Sequence, residues 1–301
     1  MKPEARQFEG GRAPLTALLA LRACLLLDSA MGTRLLARGL PPGHPPELWN
    51  LERPDEVAAC HRENRSAGAE AVHTNTFGGS PLRLARFGLG ARCREVNQRA
   101  VELARRAGSG YVLGDVGPSG LYLPPVGQAE PDELRDSFAE QAAALVAAGV
   151  DGLHVETMSD VREASLALGT LRGVCGDLPV VVSLAFERKK RGFFTAMGDP
   201  AAAALQRLQR EGAVAVGANC GLISRDMAEL ASELLSALDA PLVLQPNAGQ
   251  PDLCGDGVEY SQSATEFAAD LAPVMSRLAA AGGCCGTTPD FIASIKRARA
   301  W

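Results

Sequence analysis

Aromatic side chains are scarce in this chain of 301 residues: Phe, Tyr and Trp together make up 5% of it. Its interior must therefore be built from aliphatic residues, and with 47% apolar residues there are enough of them for one large core. Long apolar runs are absent as well. None reaches the ~18–20 residues of a membrane-spanning helix. The most apolar N-terminal stretch, LTALLALRACLLLD (15–28), is interrupted by Arg22 and closed by Asp28. It reads as a short helix running into a first strand rather than as a signal peptide. A basic excess is missing too: 30 Lys and Arg face 35 Asp and Glu, a net charge of −5. Neither nucleic acid nor an anionic membrane is expected as a partner. The 8 cysteines show no CxxC or CxH spacing, and the 4 histidines no HExxH or HxxxH. There is no GxGxxG after the first strand and no P-loop lysine. We expect a cytoplasmic chain with free thiols, in which any metal site is assembled from distant segments.

What is present is a recurring unit. Short apolar runs, each followed by glycine or polar residues and then a helix-like stretch, lie at 24–32, 69–79, 111–120, 151–160, 179–190, 213–221, 241–250 and 278–288. Between them come segments such as PDELRDSFAEQAAALVAAG (131–149), with apolar residues three or four apart. Strand alternating with helix eight times predicts an α/β fold, a single (β/α)8 TIM barrel. No linker or shift of composition divides it. Residues 1–23 are expected to form an N-terminal extension and lead-in helix, and residues 24–301 the barrel.

Chemistry in such barrels sits where strands end. Those ends carry Asp28, the run His73-Thr74-Asn75-Thr76, Asp115, Glu156, Cys220, Gln245, Asn247 and the pair Cys284-Cys285. Adjacent cysteines pair with each other poorly, because a disulfide wants Cα atoms about 5–6 Å apart and a trans peptide holds them near 3.8 Å. Strands six and eight both neighbour strand seven, so Cys220 can meet Cys284 and Cys285 at one rim. Three thiolates there would suit Zn²⁺ with a fourth position open, the pattern of a catalytic site. From spacing alone, a core Cys220 beside an incidental pair is the more available reading.

The segments DSAMGT (28–33), TNTFGG (74–79), VETMSD (155–160), GANCG (217–221) and GGCCGTTP (282–289) together resemble the homocysteine S-methyltransferase family, in order, over about residues 24–299. That family includes betaine–homocysteine methyltransferases and the homocysteine-binding module of cobalamin-dependent methionine synthase. The resemblance implies Zn²⁺ held by Cys220, Cys284 and Cys285, and transfer of a methyl group to the thiol of L-homocysteine to give L-methionine. It implies Asp28 and Glu156 as homocysteine-binding acids, with Glu156 facing the amino group. Carboxylate contacts would come from the amides around Ser29 and Ala30 and from Thr74 and Asn75. Ser29 stands where the family more often has glycine.

The methyl donor is less legible. Nothing after Cys285 encodes a folate- or cobalamin-binding module, so the donor is expected to arrive free or on another protein. The preferred reading is a small onium compound such as glycine betaine, met by rim aromatics among Trp49, Phe77, Tyr122, Phe186, Phe193 and Phe194 through cation–π contact. The alternative is a separate methylcorrinoid protein docked on the basic run Arg188–Arg191, with the chain as its homocysteine module or a non-catalytic accessory subunit. Cys24, Cys60, Cys93 and Cys175 are expected to be structural, and His73 and His154 to be rim hydrogen-bonders. Cys254 has no assigned role. The oligomeric state is open, a homo-oligomer included.

Overall fold

The computed structural model describes residues 12–108, 110–254 and 257–299, without the side chains of 252–258, among them that of Cys254. Eight parallel strands follow the eight predicted runs: β1 (Leu25–Leu26), β2 (Ala71–His73), β3 (Tyr111–Val116), β4 (Gly152–Met158), β5 (Val180–Leu184), β6 (Ala215–Ile223), β7 (Leu242–Asn247) and β8 (Ala280–Ala281). They are ordered β1-β8-β7-β6-β5-β4-β3-β2 in one sheet. Between its two ends, the Glu70 amide donates to the Leu26 carbonyl (2.7 Å) and the Glu70 carboxylate accepts from the Leu26 amide (2.9 Å). The expected TIM barrel is therefore present.

Strands such as VVVSL and LVLQPN are buried along their whole length, as parallel strands covered on both faces must be. Alternation still sorts their side chains. Leu26, Val112, Val182 and Leu244 pack outward with the helices. Leu27, Leu113, Val181 and Val243 pack with one another along the axis. The short helix Leu15–Ala20 adds Leu15 and Leu19 to this axial cluster and so plugs one end of the barrel.

Helix boundaries have local causes. Asp160 caps the helix Val161–Val174 by accepting from the Arg162 amide at 2.8 Å. Ser263 and Glu266 form a reciprocal capping box at the start of Ala264–Met275. The helix Pro54–Ala67 stops at Gly68, whose φ of +113° only glycine adopts readily.

Two antiparallel hairpins stand outside the barrel: Glu187–Lys189 with Gly192–Phe194 after β5, and Pro251–Cys254 with Gly257–Tyr260 after β7. The first carries the basic run. There Arg188 pairs with Asp226 and Glu229, and Lys189 with Glu187. Two of the four charges of that run are thus matched within the chain.

Candidate metal and substrate site

Moving up the axial face of each strand, the apolar floor gives way to polar residues. Two positions beyond Ala71, Leu113 and Val181 come His73, Asp115 and Ser183, and His154 and Glu156 project from β4 on the same alternation. The polar end of the interior is the end where the strands finish, and it opens into a cavity of about 470 Å³. That volume lies in the range of small-molecule sites.

Cys220, Cys284 and Cys285 meet at this cavity, with their sulfur atoms all within 4.8 Å of one another. Cys220 and Cys285 Sγ are 3.9 Å apart. Tetrahedral zinc with Zn–S bonds of ~2.3 Å separates its sulfurs by about 3.8 Å, so the donor set fits the ion in both kind and spacing. The backbone bends to achieve this. Cys220 has a φ of +58°, Gly221 follows at +69°, and the β6–β7 register shifts between Asn219 and Ile223. A bulge re-aims a side chain that a regular strand would send elsewhere.

Glycines flank the cysteine pair for two reasons. A Cβ on Gly282 would sit 2.8 Å from the Asp28 carbonyl, so β8 can approach the β1 end only without one. Gly286 has a φ of +78°, and a Cβ there would meet the Tyr260 ring at 2.2 Å.

Without a cation, three thiols this close share protons unequally. Hydrogen bonds from Cys284 and Cys285 hold Cys220 down at about 3. The same hydrogen bonds push Cys284 up, and push Cys285 up to about 11. Polar neighbours add to this: Asn219 Nδ2 lies 4.0 Å from Cys284 Sγ, Asn247 helps to lower Cys220, and Tyr260 tempers the rise at Cys285. Such outer contacts orient thiolate ligands and disperse their charge.

A second constellation runs down into the barrel. Asp28 Oδ2 accepts from the His73 amide at 2.9 Å, and Oδ1 lies 2.7 Å from His73 Nδ1. His73 Nε2 is 2.8 Å from His154 Nδ1, and His154 Nε2 is 2.8 Å from Ser183 Oγ. Burial opposes a charge on His73, but the Asp28 carboxylate beside it wins and raises its pKa. Burial, then the charge of His73, lowers His154. The raised pKa of His73 favours its imidazolium, which would donate to Asp28 and to a neutral His154. His154 lies fully buried inside the barrel, deeper than the rim position expected for it.

The cavity carries three further carboxylates. Burial raises Glu156 to about 7; His73 opposes this, and Asp28 and Cys220 add to it. Burial raises Asp115 well above the usual range, with Glu156, Asp28 and Glu47 contributing. Glu47 is buried too and accepts from the Gly78 amide at 2.6 Å.

The eight side chains that the family resemblance implies all line this one cavity: Asp28, Ser29, Thr74, Asn75, Glu156 and the three cysteines. Several have their polar atoms engaged. The amide and hydroxyl of Ser29 both donate to Asn64 Oδ1, and the Ala30 amide donates to Thr287 Oγ1. Thr74 Oγ1 bonds Thr76 and the Asp115 amide, and Asn75 Nδ2 donates to the Pro46 carbonyl and Asn50. Of the six rim aromatics, only Phe77 lines the cavity, where Phe87 joins it. Trp49, Phe186 and Phe193 are buried in packing, and Tyr122 points outward. Sequence reasoning missed Glu47, Arg83, Phe87 and Tyr260. Glu47 arrives on the single helical turn Pro46–Leu48 and Tyr260 at the end of the hairpin after β7, placements that no local pattern signals.

Comparison with known proteins agrees with this geometry. Methionine synthases of Mycobacterium leprae and Mycobacterium tuberculosis are each 34% identical over 293 residues, which is 90% of this chain and 24% of theirs. The chain thus spans about a quarter of the length of these curated relatives. The structure of the homocysteine methyltransferase MmuM from Escherichia coli in its metallated form superposes with a TM-score of 0.76 at 28% identity, covering 95% of this chain and 100% of that one. The family model for homocysteine S-methyltransferase matches residues 25–299, and the chain belongs to that family.

Proposed function

We propose that the protein is a zinc-dependent homocysteine S-methyltransferase that makes methionine from homocysteine and a small onium methyl donor, in a barrel formed by residues 24–301 behind a lead-in at 1–23. The observation that carries this reading is the convergence of Cys220, Cys284 and Cys285 at the cavity, with a sulfur spacing that suits tetrahedral zinc. The metallated form of MmuM supports it.

Zinc bound by the three cysteines would hold a thiol as its thiolate at neutral pH, below the free value of about 8.5. The chain's own residues do the rest. Glu156 pairs with the α-ammonium of homocysteine, and Asp28 adds negative charge at the same end of the cavity. Ser29, Thr74 and Asn75 shape the part that takes the carboxylate, held rigid by the hydrogen bonds described above. Phe77 and Phe87 line the mouth with apolar rings that keep water from the reacting sulfur. In the reaction the sulfur lone pair forms the new S–CH3 bond as the bond from methyl to the onium nitrogen or sulfur breaks. The leaving atom keeps that electron pair and departs uncharged.

The donor follows from charge. Burial disfavours the charge of Glu47, whose carboxylate accepts from the amide next to Phe77. A cationic donor at that wall would offset this cost, and Phe77 and Phe87 are at hand to receive it. The similarity to methionine synthases favours a second reading, methyl transfer from a separate corrinoid protein.

The deciding experiment combines metal analysis with a donor panel of glycine betaine, S-methylmethionine, S-adenosylmethionine and methylcobalamin. We expect about one zinc per chain and turnover with an onium donor, both lost in Cys285→Ala. A folded Cys285→Ala that keeps its metal and its activity refutes the zinc assignment. Turnover with methylcobalamin alone moves the donor to a corrinoid.

A further inference from the structure

Asp28 and Glu156 are the acids expected to receive the ammonium of homocysteine, yet the structure treats them differently. Both oxygens of Asp28 are already engaged by His73, at 2.7 and 2.9 Å. Glu47 is tied to the Gly78 amide. Two cavity carboxylates remain that accept no hydrogen bond from the described residues. Glu156 has His154 Nδ1 at 3.9 Å, on a ring that burial keeps neutral, and a nitrogen of His73 within 4.8 Å that is already turned to Asp28 and His154. Asp115, 6% exposed, has a buried Oδ1 with no hydrogen-bond partner among the described residues.

These two carboxylates are close neighbours. Asp115 on β3 stands in register with His154 on β4, and Glu156 lies two residues further along the same face. Each raises the cost of ionising the other, and a bound cation would remove that cost. Gln245, which also lines the cavity, leaves its buried Oε1 without a partner as well. Buried acceptors lacking donors call for a ligand with N–H groups. A primary ammonium has three. A quaternary ammonium or a sulfonium has none and would leave the Asp115 oxygen as unpartnered as before.

We propose that Asp115 is the second carboxylate of the ammonium subsite, sharing the α-ammonium of the thiol substrate with Glu156, while Asp28 acts one step back by holding His73. This rests on the reading of the cavity as a homocysteine site. It assigns Asp115 to substrate selection: a thiol lacking the amino group leaves Asp115 and Glu156 in mutual repulsion and is rejected.

The test measures two thiols against two proteins. L-Homocysteine and 4-mercaptobutanoate, the same thiol acid without its amino group, are titrated calorimetrically into the zinc-loaded wild type and Asp115→Asn. The wild type is expected to prefer homocysteine, and Asp115→Asn to lower that preference on the order of 10-fold or more. The affinity for 4-mercaptobutanoate and the KM of the methyl donor should stay within about 3-fold, well under one hydrogen bond to a charged group. A preference is a ratio taken on one sample, so it does not depend on how much of the variant is folded. Equal weakening of both thiols would mean that Asp115 only supports the cavity wall, and overturns the inference. So does a change confined to the donor KM, which would place Asp115 at the donor. A wild type that binds homocysteine, with an unchanged preference in the variant, refutes this inference alone. A wild type that binds neither thiol refutes the homocysteine reading and this inference with it.

Discussion

His61 offers a stringent check on the electrostatics behind the cavity. It lies on the helix Pro54–Ala67, is 0% exposed, and neither ring nitrogen has a partner among the described residues. Burial lowers its pKa to about 4; Asp28 opposes this, while Arg65, Arg34 and His73 reinforce it. The unfolded chain holds its histidines near 6.5. Between these values the unfolded state binds the proton and the folded state does not, so stability falls as pH drops from 6.5 towards 4. Linkage puts the loss from this one residue at about 2 kcal/mol between pH 7 and pH 5, and about 3 kcal/mol by pH 4. His61→Leu removes it. Urea unfolding of zinc-loaded wild type and His61→Leu at both pH values isolates the effect, because carboxylates and metal-linked protons are common to the two proteins and cancel. The stability difference should shift in favour of His61→Leu by about 2 kcal/mol on going from pH 7 to pH 5. Ring-nitrogen NMR should show His61 still neutral at pH 5. A shift below about 0.5 kcal/mol, or a ring midpoint near 6.5, would refute the reasoning.

Two further perturbations address the site itself. Gly286→Ala forces a side chain onto a φ of +78° and drives its Cβ into the Tyr260 ring. It should cost about 2–4 kcal/mol and lower zinc content, read by thermal melting and metal analysis. Asp28→Asn removes the charge that raises His73. A histidine with a raised folded pKa contributes stability below its unfolded value and loses it as pH rises through the folded one. The deficit of Asp28→Asn relative to wild type, followed by urea unfolding, should therefore be widest near pH 6 and narrow towards pH 9. A constant deficit would show that His73 is not the imidazolium.

The eight strands were legible because buried parallel strands are short aliphatic runs, and these recur between amphipathic stretches of helix length. The cysteine cluster was legible for a different reason. Cys220 and Cys285 are 65 residues apart, and barrel topology puts strands six and eight on either side of strand seven. What stayed hidden depends on which partners a folded side chain has already found. Ser29, Thr74 and Asn75 look like free polar contacts in the sequence, and Asn64, Thr76 and Asn50 engage them in the fold. Of the basic run at 188–191, Arg188 is matched in the fold by Asp226 and Glu229 from the helix after β6, a pairing that no local pattern shows. Rim aromatics look like a cation cage, but Trp49, Phe186 and Phe193 turn into the packing. Position along a strand is a local property of the sequence. Saturation of hydrogen-bonding capacity is a property of the whole fold.

The alternation that makes the barrel also explains why its site is under tension. Inward positions must be filled on every strand, and near the mouth they are filled by groups that disfavour one another. Asp115 and Glu156 repel, three thiols compete for protons, and Cys220 and Thr157 both sit at a φ of +58°, where non-glycine residues are strained. An apolar lining would relieve the first two and abolish the chemistry. On the proposed function, both are relieved by a component of the reaction: the thiols by a divalent cation, the carboxylates by an ammonium. Ligands that bind the folded chain alone stabilise it in proportion to their concentration over Kd. Zinc and the thiol amino acid should therefore raise the melting temperature in separable steps, the second of them blunted by Asp115→Asn. The apolar floor sealed by Leu15 and Leu19 holds the strands together while the mouth remains in this unfavourable state.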